Sequence, residues 1–173
     1  MKKFLLSIMT LATALTTAFA EQSVTLDFTE PTAWKLANGD PVPTKKADGF
    51  GTTPTTMNDG TNSVTVTATE TAYFISTSGS YALLVGKPAG STIDLPQVGF
   101  KVGTIKVVAG SGCSKSAKLD LLIDGVAQEK IATLGNSVEY TWEIDQAVAA
   151  TAQQYTLKGT ASSNIQFAQI ITY

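Results

Sequence analysis

GSYALLVGKPAGSTIDLPQVGFKVGTIKVVAGSGCSKSAKLDLLIDG, the stretch from Gly79 to Gly125, decides the fold. It breaks into four short apolar runs, Tyr81–Val85, Ser91–Leu95, Gly103–Ala109 and Ala117–Asp124, separated by turns of Gly, Pro and Ser. Ile105 and Val107 oppose Lys106 and Val108, while Ala117, Leu119, Leu121 and Ile123 oppose Lys118, Asp120 and Asp124. A period of two over short runs, with no helical period between them, is the pattern of an antiparallel sandwich. Tyr81–Val85 is apolar throughout and is expected to be buried on both faces. Asp124-Gly125 is a two-residue hairpin signal leading into a strand over Val126–Ile131.

Outward from this stretch the same period continues. Val24, Leu26 and Phe28 share one face of an early strand, and Val64 and Val66 alternate with threonines. Ala72–Ser76 forms a short aromatic run. Val138, Tyr140, Trp142 and Ile144 alternate with Glu139, Thr141 and Glu143, which assigns both aromatics to the core. Asp145–Gln154 has room for one helical turn before strands at Tyr155–Lys158 and Ile165–Tyr173. In the last of these the alternation slips between Phe167 and Ile170, which predicts a bulge or burial on both faces. The expectation is an all-β protein, an antiparallel β-sandwich of about nine to eleven strands.

Met1–Ala20 carries two lysines, an apolar run from Phe4 to Leu15 and a small-x-small ending at Ala18-Phe19-Ala20. This is the plan of a cleaved secretory signal peptide. A single domain over 21–173 is expected to follow, because no composition break divides it. The apolar run of the leader is too short to span a bilayer, and nothing downstream is longer. The chain is therefore expected to be exported to the periplasm or the cell surface, without membrane insertion.

Composition excludes several kinds of chemistry. The chain has no His and one Cys, so His-bearing triads, zinc thiolate sites and iron–sulfur clusters have no ligands. Its basic residues are all lysine, and two of the 12 lie in the leader against 14 acids in the whole chain. A mildly acidic domain without arginine lacks the means for bidentate contacts to phosphate or guanine, so nucleic acid is not an expected partner. Gly86-Lys87-Pro88-Ala89-Gly90 leads into a strand, whereas a phosphate loop leads into a helix. Glu139 and Glu143 share a strand face but read as solvated sheet-surface residues rather than an acid/base pair. No enzyme is expected.

Thr29–Asn62 is rich in Pro, Gly, Thr, Asn and Asp and is expected to be a long irregular region. Trp34, Leu36, Phe50 and Met57 are its candidate tethers to the core. Loops of this kind carry function, and the ligand-binding candidates here are Trp34, Asn38, Asp40 and Phe50. An aromatic face and neighbouring amide and carboxylate groups suit a sugar ring. Asn58-Asp59-Gly60-Thr61-Asn62 offers oxygen ligands, with Asn58, Asp59 and Asn62 the candidates for calcium; the same residues also form turns. No other cofactor is expected. Cys113 lies in an apparent exposed turn, Gly110-Ser111-Gly112-Cys113-Ser114, and could bridge a homodimer or simply be a turn residue.

Tyr81-Ala-Leu-Leu-Val-Gly-Lys-Pro, Ile93-Asp-Leu-Pro, Gly103-Thr-Ile-Lys-Val-Val, Lys118-Leu-Asp-Leu-Leu-Ile-Asp-Gly and Asn164-Ile-Gln-Phe-Ala-Gln-Ile together resemble a loose group of secreted jelly-roll domains of gut Bacteroidetes. The resemblance implies a galactose-binding-like β-sandwich, a fold that hosts many carbohydrate-binding modules, and brings no site residues with it. The resulting expectation is an exported, non-catalytic domain that binds carbohydrate or another surface ligand through its N-terminal loops, its partner a glycan or a surface protein. The alternative is a structural or protein-interaction subunit of the cell envelope.

Overall fold

Two antiparallel sheets stack on one apolar core. The computed structural model describes residues 22–173, so the leader expected over 1–20 and its cleavage point lie outside the described residues. In chain order the chain forms β1 (Val24–Asp27), a 3-10 turn at Pro31–Ala33, β2 (Lys35–Leu36), a second 3-10 turn at Lys46–Asp48 and β3 (Thr55–Asn58). It continues through β4 (Ser63–Thr67), β5 (Thr71–Thr77), β6 (Ser80–Gly86), β7 (Thr92–Asp94), β8 (Thr104–Ala109) and β9 (Lys118–Ile123). The remainder is β10 (Val126–Ala127), β11 (Ala132–Thr133), β12 (Glu139–Glu143), α1 (Gln146–Ala149), β13 (Tyr155–Gly159) and β14 (Ile165–Thr172).

The first sheet runs β12-β8-β14-β6-β5, with β1 also paired to β14. The second runs β10-β9-β13-β7-β4-β3-β2, with β11 beside β9. Ile105, Val107 and Ala109 of β8 and Leu119, Leu121 and Ile123 of β9 are buried in the shared core, as the alternation requires. Burying each large aliphatic side chain contributes about 1.5–3 kcal/mol, so the repeated two-residue period is what drives the layers together.

The Asp124-Gly125 hairpin forms as expected, with φ of 50° and 80° and Val126 opposite Ile123. These left-handed values suit Gly and are tolerated by Asp, whose Oδ1 also accepts the backbone N–H groups of Gln153 and Gln154 at 2.9 and 2.8 Å. The slip in the last strand is a bulge: Phe167 pairs with Ala109, but Gln169, two residues on, pairs with the adjacent Val108. The short helix α1 is capped by Asp145, whose side chain accepts from Ala147 N and Val148 N.

Four expectations are corrected. Thr29–Asn62 is not irregular throughout, because β2 and β3 lie within it and form one edge of the second sheet. The strand after the Asp124-Gly125 turn is only Val126–Ala127, leaving Ile131 exposed. Trp142 is buried, and its Nε1 donates to Lys130 O at 2.8 Å, but Tyr140 is only half-buried against it and Val138 is exposed, because β12 is an edge strand. Cys113, finally, is buried rather than exposed. Burial pushes its thiol pKa up, partly offset by a backbone hydrogen bond, and a covalent bridge to a second chain would require this side chain to emerge.

Candidate functional site

One edge of β14 changes partner at its bulge. Up to Phe167 it is paired with β6, through Phe167↔Leu83; from Gln169 onward it is paired with β1, through Gln169↔Asp27. The extra residue at the change, Ala168, accepts Phe28 N through its carbonyl at 2.9 Å. Here the chain leaving β1 turns away through Thr29–Thr32, while the chain entering β6 arrives from the Ser78-Gly79 hairpin. An open cleft of about 430 Å³ lies between these segments, lined by Thr29, Glu30, Pro31, Thr32, Gly79, Ser80 and Tyr81.

Tyr81 is the aromatic side chain of this cleft and is 38% exposed. By alternation it belongs with the inward Leu83 and Val85. However, β14 pairs with β6 only over Leu83–Val85, so at Tyr81 the strand is flanked by β5 alone. Tyr81 opens a run expected to be buried on both faces, and the structure corrects that at this first residue. The only cue in the sequence is position: Tyr81 stands two residues after the Ser78-Gly79 turn.

The opposite wall is fixed by Asp27. Its Oδ1 accepts Thr29 N at 2.9 Å and Thr29 Oγ1 at 2.6 Å, and its Oδ2 accepts Gln169 Nε2 at 3.2 Å. The resulting Asx-type turn sends the chain out of the sheet, and the 3-10 turn Pro31–Ala33 brings it back to Trp34. Glu30 and Tyr81 are the titratable side chains lining the cleft. One aromatic face, one carboxylate and several hydroxyls can stack on and hydrogen-bond a small polar ring.

The residues expected to bind ligand do not form this cleft. Trp34 is fully buried, its ring stacked on Phe28 with centroids 4.9 Å apart and its Nε1 donating to Asp27 O at 2.7 Å. A buried indole offers no face to a sugar, so its assignment as a platform is corrected to a core tether. Asn38 and Asp40 are exposed at the tip of the turn after β2 and bond to each other, with Asn38 Nδ2 donating to Asp40 Oδ2 at 2.7 Å. Phe50 is half-buried against the core, and its backbone pairs with Ala72 on the edge of β5. These four residues therefore do not converge on one exposed surface.

Asn58, Asp59 and Asn62 make the β3–β4 turn. Asp59 Oδ1 accepts Thr61 N at 2.9 Å and Asn62 N at 2.7 Å, while Asn58 Oδ1 accepts Gly60 N at 3.3 Å. Partial burial opposes the Asp59 charge, but these N–H donors outweigh it and hold the carboxyl below its usual range. Among the described residues no three His, Cys, Asp or Glu side chains gather in a group able to hold a metal ion. Glu139 and Glu143 are exposed on the edge strand β12, and Glu139 Oε2 lies 3.3 Å from Lys106 Nζ. No helix among the described residues is long and apolar enough to cross a membrane.

No protein-family model matches the chain. No curated protein matches it either. Among solved structures it is similar to the C-terminal CBM6 of LamC, a marine laminarinase from Zobellia galactanivorans, at 17% identity over 59% of this chain and 88% of that one, with a TM-score of 0.40. It is also similar to part of an exo-β-1,3-galactanase from Phanerochaete chrysosporium whose structure contains galactose. That match has 16% identity, covers 59% of this chain and 26% of the galactanase, and has a TM-score of 0.41. The chain thus spans about a quarter of the galactanase. The class defined by the two sheets themselves is an all-β antiparallel sandwich with a cleft where β1 and β6 meet end to end on β14.

Proposed function

We propose that this is an exported, non-catalytic sandwich of the jelly-roll kind that binds carbohydrate in the cleft between Thr29–Thr32 and Gly79–Tyr81. The observation that carries the reading is the Tyr81 ring, left open by the end of the β14–β6 pairing and faced by Glu30, Thr32 and Ser80. An aromatic side chain supplies apolar contact to the C–H face of a sugar, and the carboxylate and hydroxyls supply directional hydrogen bonds. Among the described residues Glu30 is the one carboxylate lining the cleft, whereas glycoside hydrolysis uses a pair, so binding rather than turnover suits this surface. In this reading one wall, Thr29–Thr32, comes from the N-terminal loop region, and Tyr81 takes the stacking role expected of Trp34.

The test is a glycan array, followed by affinity electrophoresis in gels containing starch, β-glucan, galactan or pectin, on residues 21–173 with and without calcium. Retention by one polymer class that Tyr81→Ala weakens about tenfold or more supports the reading. Retention unchanged by Tyr81→Ala removes the cleft from the proposal. If no glycan is retained, the structural or protein-interaction role in the envelope is favoured. Loss of retention on chelation alone would return the Asn58–Asn62 turn to consideration as a calcium site.

A further inference from the structure

The two walls of the cleft belong to distant parts of the chain, yet both are tied to the strand that passes behind them. On β14, residues 166 and 169 are three apart and in a regular strand would point to opposite faces. The bulge at Ala168 changes this. Gln166 pairs with Leu84 and Gln169 with Val108, while Phe167 and Ile170 are turned into the core. Both glutamines therefore lie on the outer face of the first sheet.

Each amide is engaged with a different wall. Gln169 Nε2 donates to Asp27 Oδ2 at 3.2 Å, and the other oxygen of that carboxylate holds Thr29 N and Thr29 Oγ1. Gln166 Oε1 accepts Gly112 N at 3.1 Å, and the neighbouring Ser111 Oγ donates to Thr77 O at 3.1 Å, at the start of the Ser78-Gly79 turn. Gly112 lies so close to this amide that a Cβ on it would stand 2.8 Å from Gln166 Oε1 and 2.9 Å from Thr77 Oγ1. Gln166 is also 4% exposed, so its side chain is held in place.

We propose that Gln166 and Gln169 are positioning residues for the Tyr81 cleft, brought onto one face by the Ala168 bulge so that one strand sets the separation of the two walls. Gln169 acts as a donor, through Asp27, on the Thr29–Thr32 wall. Gln166 acts as an acceptor, through Gly112, Ser111 and Thr77, on the Gly79–Tyr81 wall. This rests on the reading of the cleft as the binding site, but the arrangement of the walls can be measured with no glycan present.

The opposite polarity of the two amides gives the test. Amide hydrogen exchange and Tyr81 ring shifts are measured by NMR on residues 21–173 and on Gln166→Ala, Gln166→Glu, Gln169→Ala and Gln169→Glu. Gln169→Ala is expected to speed exchange at Thr29 roughly two- to tenfold, the range of one lost hydrogen bond, and leave Gly79 and Ser80 unchanged. Gln166→Ala is expected to do the reverse, speeding Ser80, which pairs with Thr77, and shifting the Tyr81 ring signals. A glutamate keeps the acceptor at position 166, with Gly112 N–H to offset its buried charge, and is expected to restore that wall in part. At position 169 it removes the donor and sets a second negative charge against Asp27, so that wall stays loosened. Unchanged exchange at both walls in the alanine variants would overturn the proposal, as would equal behaviour of the two glutamate variants. So would acceleration spread evenly across the core strands β8 and β9, which would mark both side chains as general stabilisers. These outcomes stand apart from the glycan result, since a set of positioned walls with no retained polymer would fail only the binding proposal.

Discussion

Trp34 Nε1 donates to the main-chain carbonyl of Asp27 at 2.7 Å, across the loop that forms one wall of the cleft. This bond and the stack on Phe28 make the indole a buried clamp that returns the chain to the core after it has left β1. Trp34 thus shapes the cleft without being exposed in it.

The contrast between Trp34 and Tyr81 is measurable. Trp34→Ala removes a fully buried indole and is expected to cost about 3–5 kcal/mol in urea unfolding. Tyr81→Ala removes a side chain that is 38% exposed and is expected to cost well under half of that. Equal losses would mean that Tyr81 is part of the core.

Cys113 is expected to be unreactive toward a thiol reagent in the native state and to react fully in urea. Burial raises its pKa, so little thiolate forms at neutral pH, and the sulfur is also sterically shielded. Rapid native-state labelling, or a disulfide-linked dimer on a non-reducing gel that Cys113→Ser abolishes, would contradict this placement.

Gly159 is a strand residue whose Cβ, if present, would run into the carbonyl of Pro88. Gly159→Ala is expected to destabilise the protein by about 1–3 kcal/mol, because backbone on both sides must shift. Gly99 has open space around its Cβ position, and Gly99→Ala is expected to be close to neutral. Thermal unfolding of the pair compares the two cases directly.

Asp59 provides a pH test. Its folded pKa is lowered, so the turn's contribution to stability is complete above the unfolded carboxylate pKa of about 4 and is lost as pH falls through the lower folded value. Acid unfolding of Asp59→Asn is therefore expected to show a smaller loss of stability on going from neutral pH to below pH 4. An unaltered pH dependence would show that the turn does not favour the ionised form.

The sandwich was legible because most of its strands carry their own period of two. Lys118–Ile123 declares its inward Leu119, Leu121 and Ile123 without help from any neighbour, and Asp124-Gly125 declares its turn. Even the β14 bulge showed as a broken alternation between Phe167 and Ile170. β2 was harder to see, since a two-residue strand has no period and exists only through its pairing with β3.

The site was legible only in part. A loop rich in Pro and Gly with a tryptophan suggests a binding surface, but whether an aromatic is clamp or platform depends on what covers it. Trp34 is covered by Phe28 and bonded to Asp27, whereas Tyr81 is left open because β14 turns from β6 to β1 beside it. The sequence by itself determined most of the strand pattern, the core-facing residues of β8 and β9 and the chemistry excluded by the absence of histidine, because these are local or compositional properties. Only the tertiary structure decided where the cleft lies and which side chains line it, because that follows from strand pairings between residues as far apart as Asp27 and Gln169.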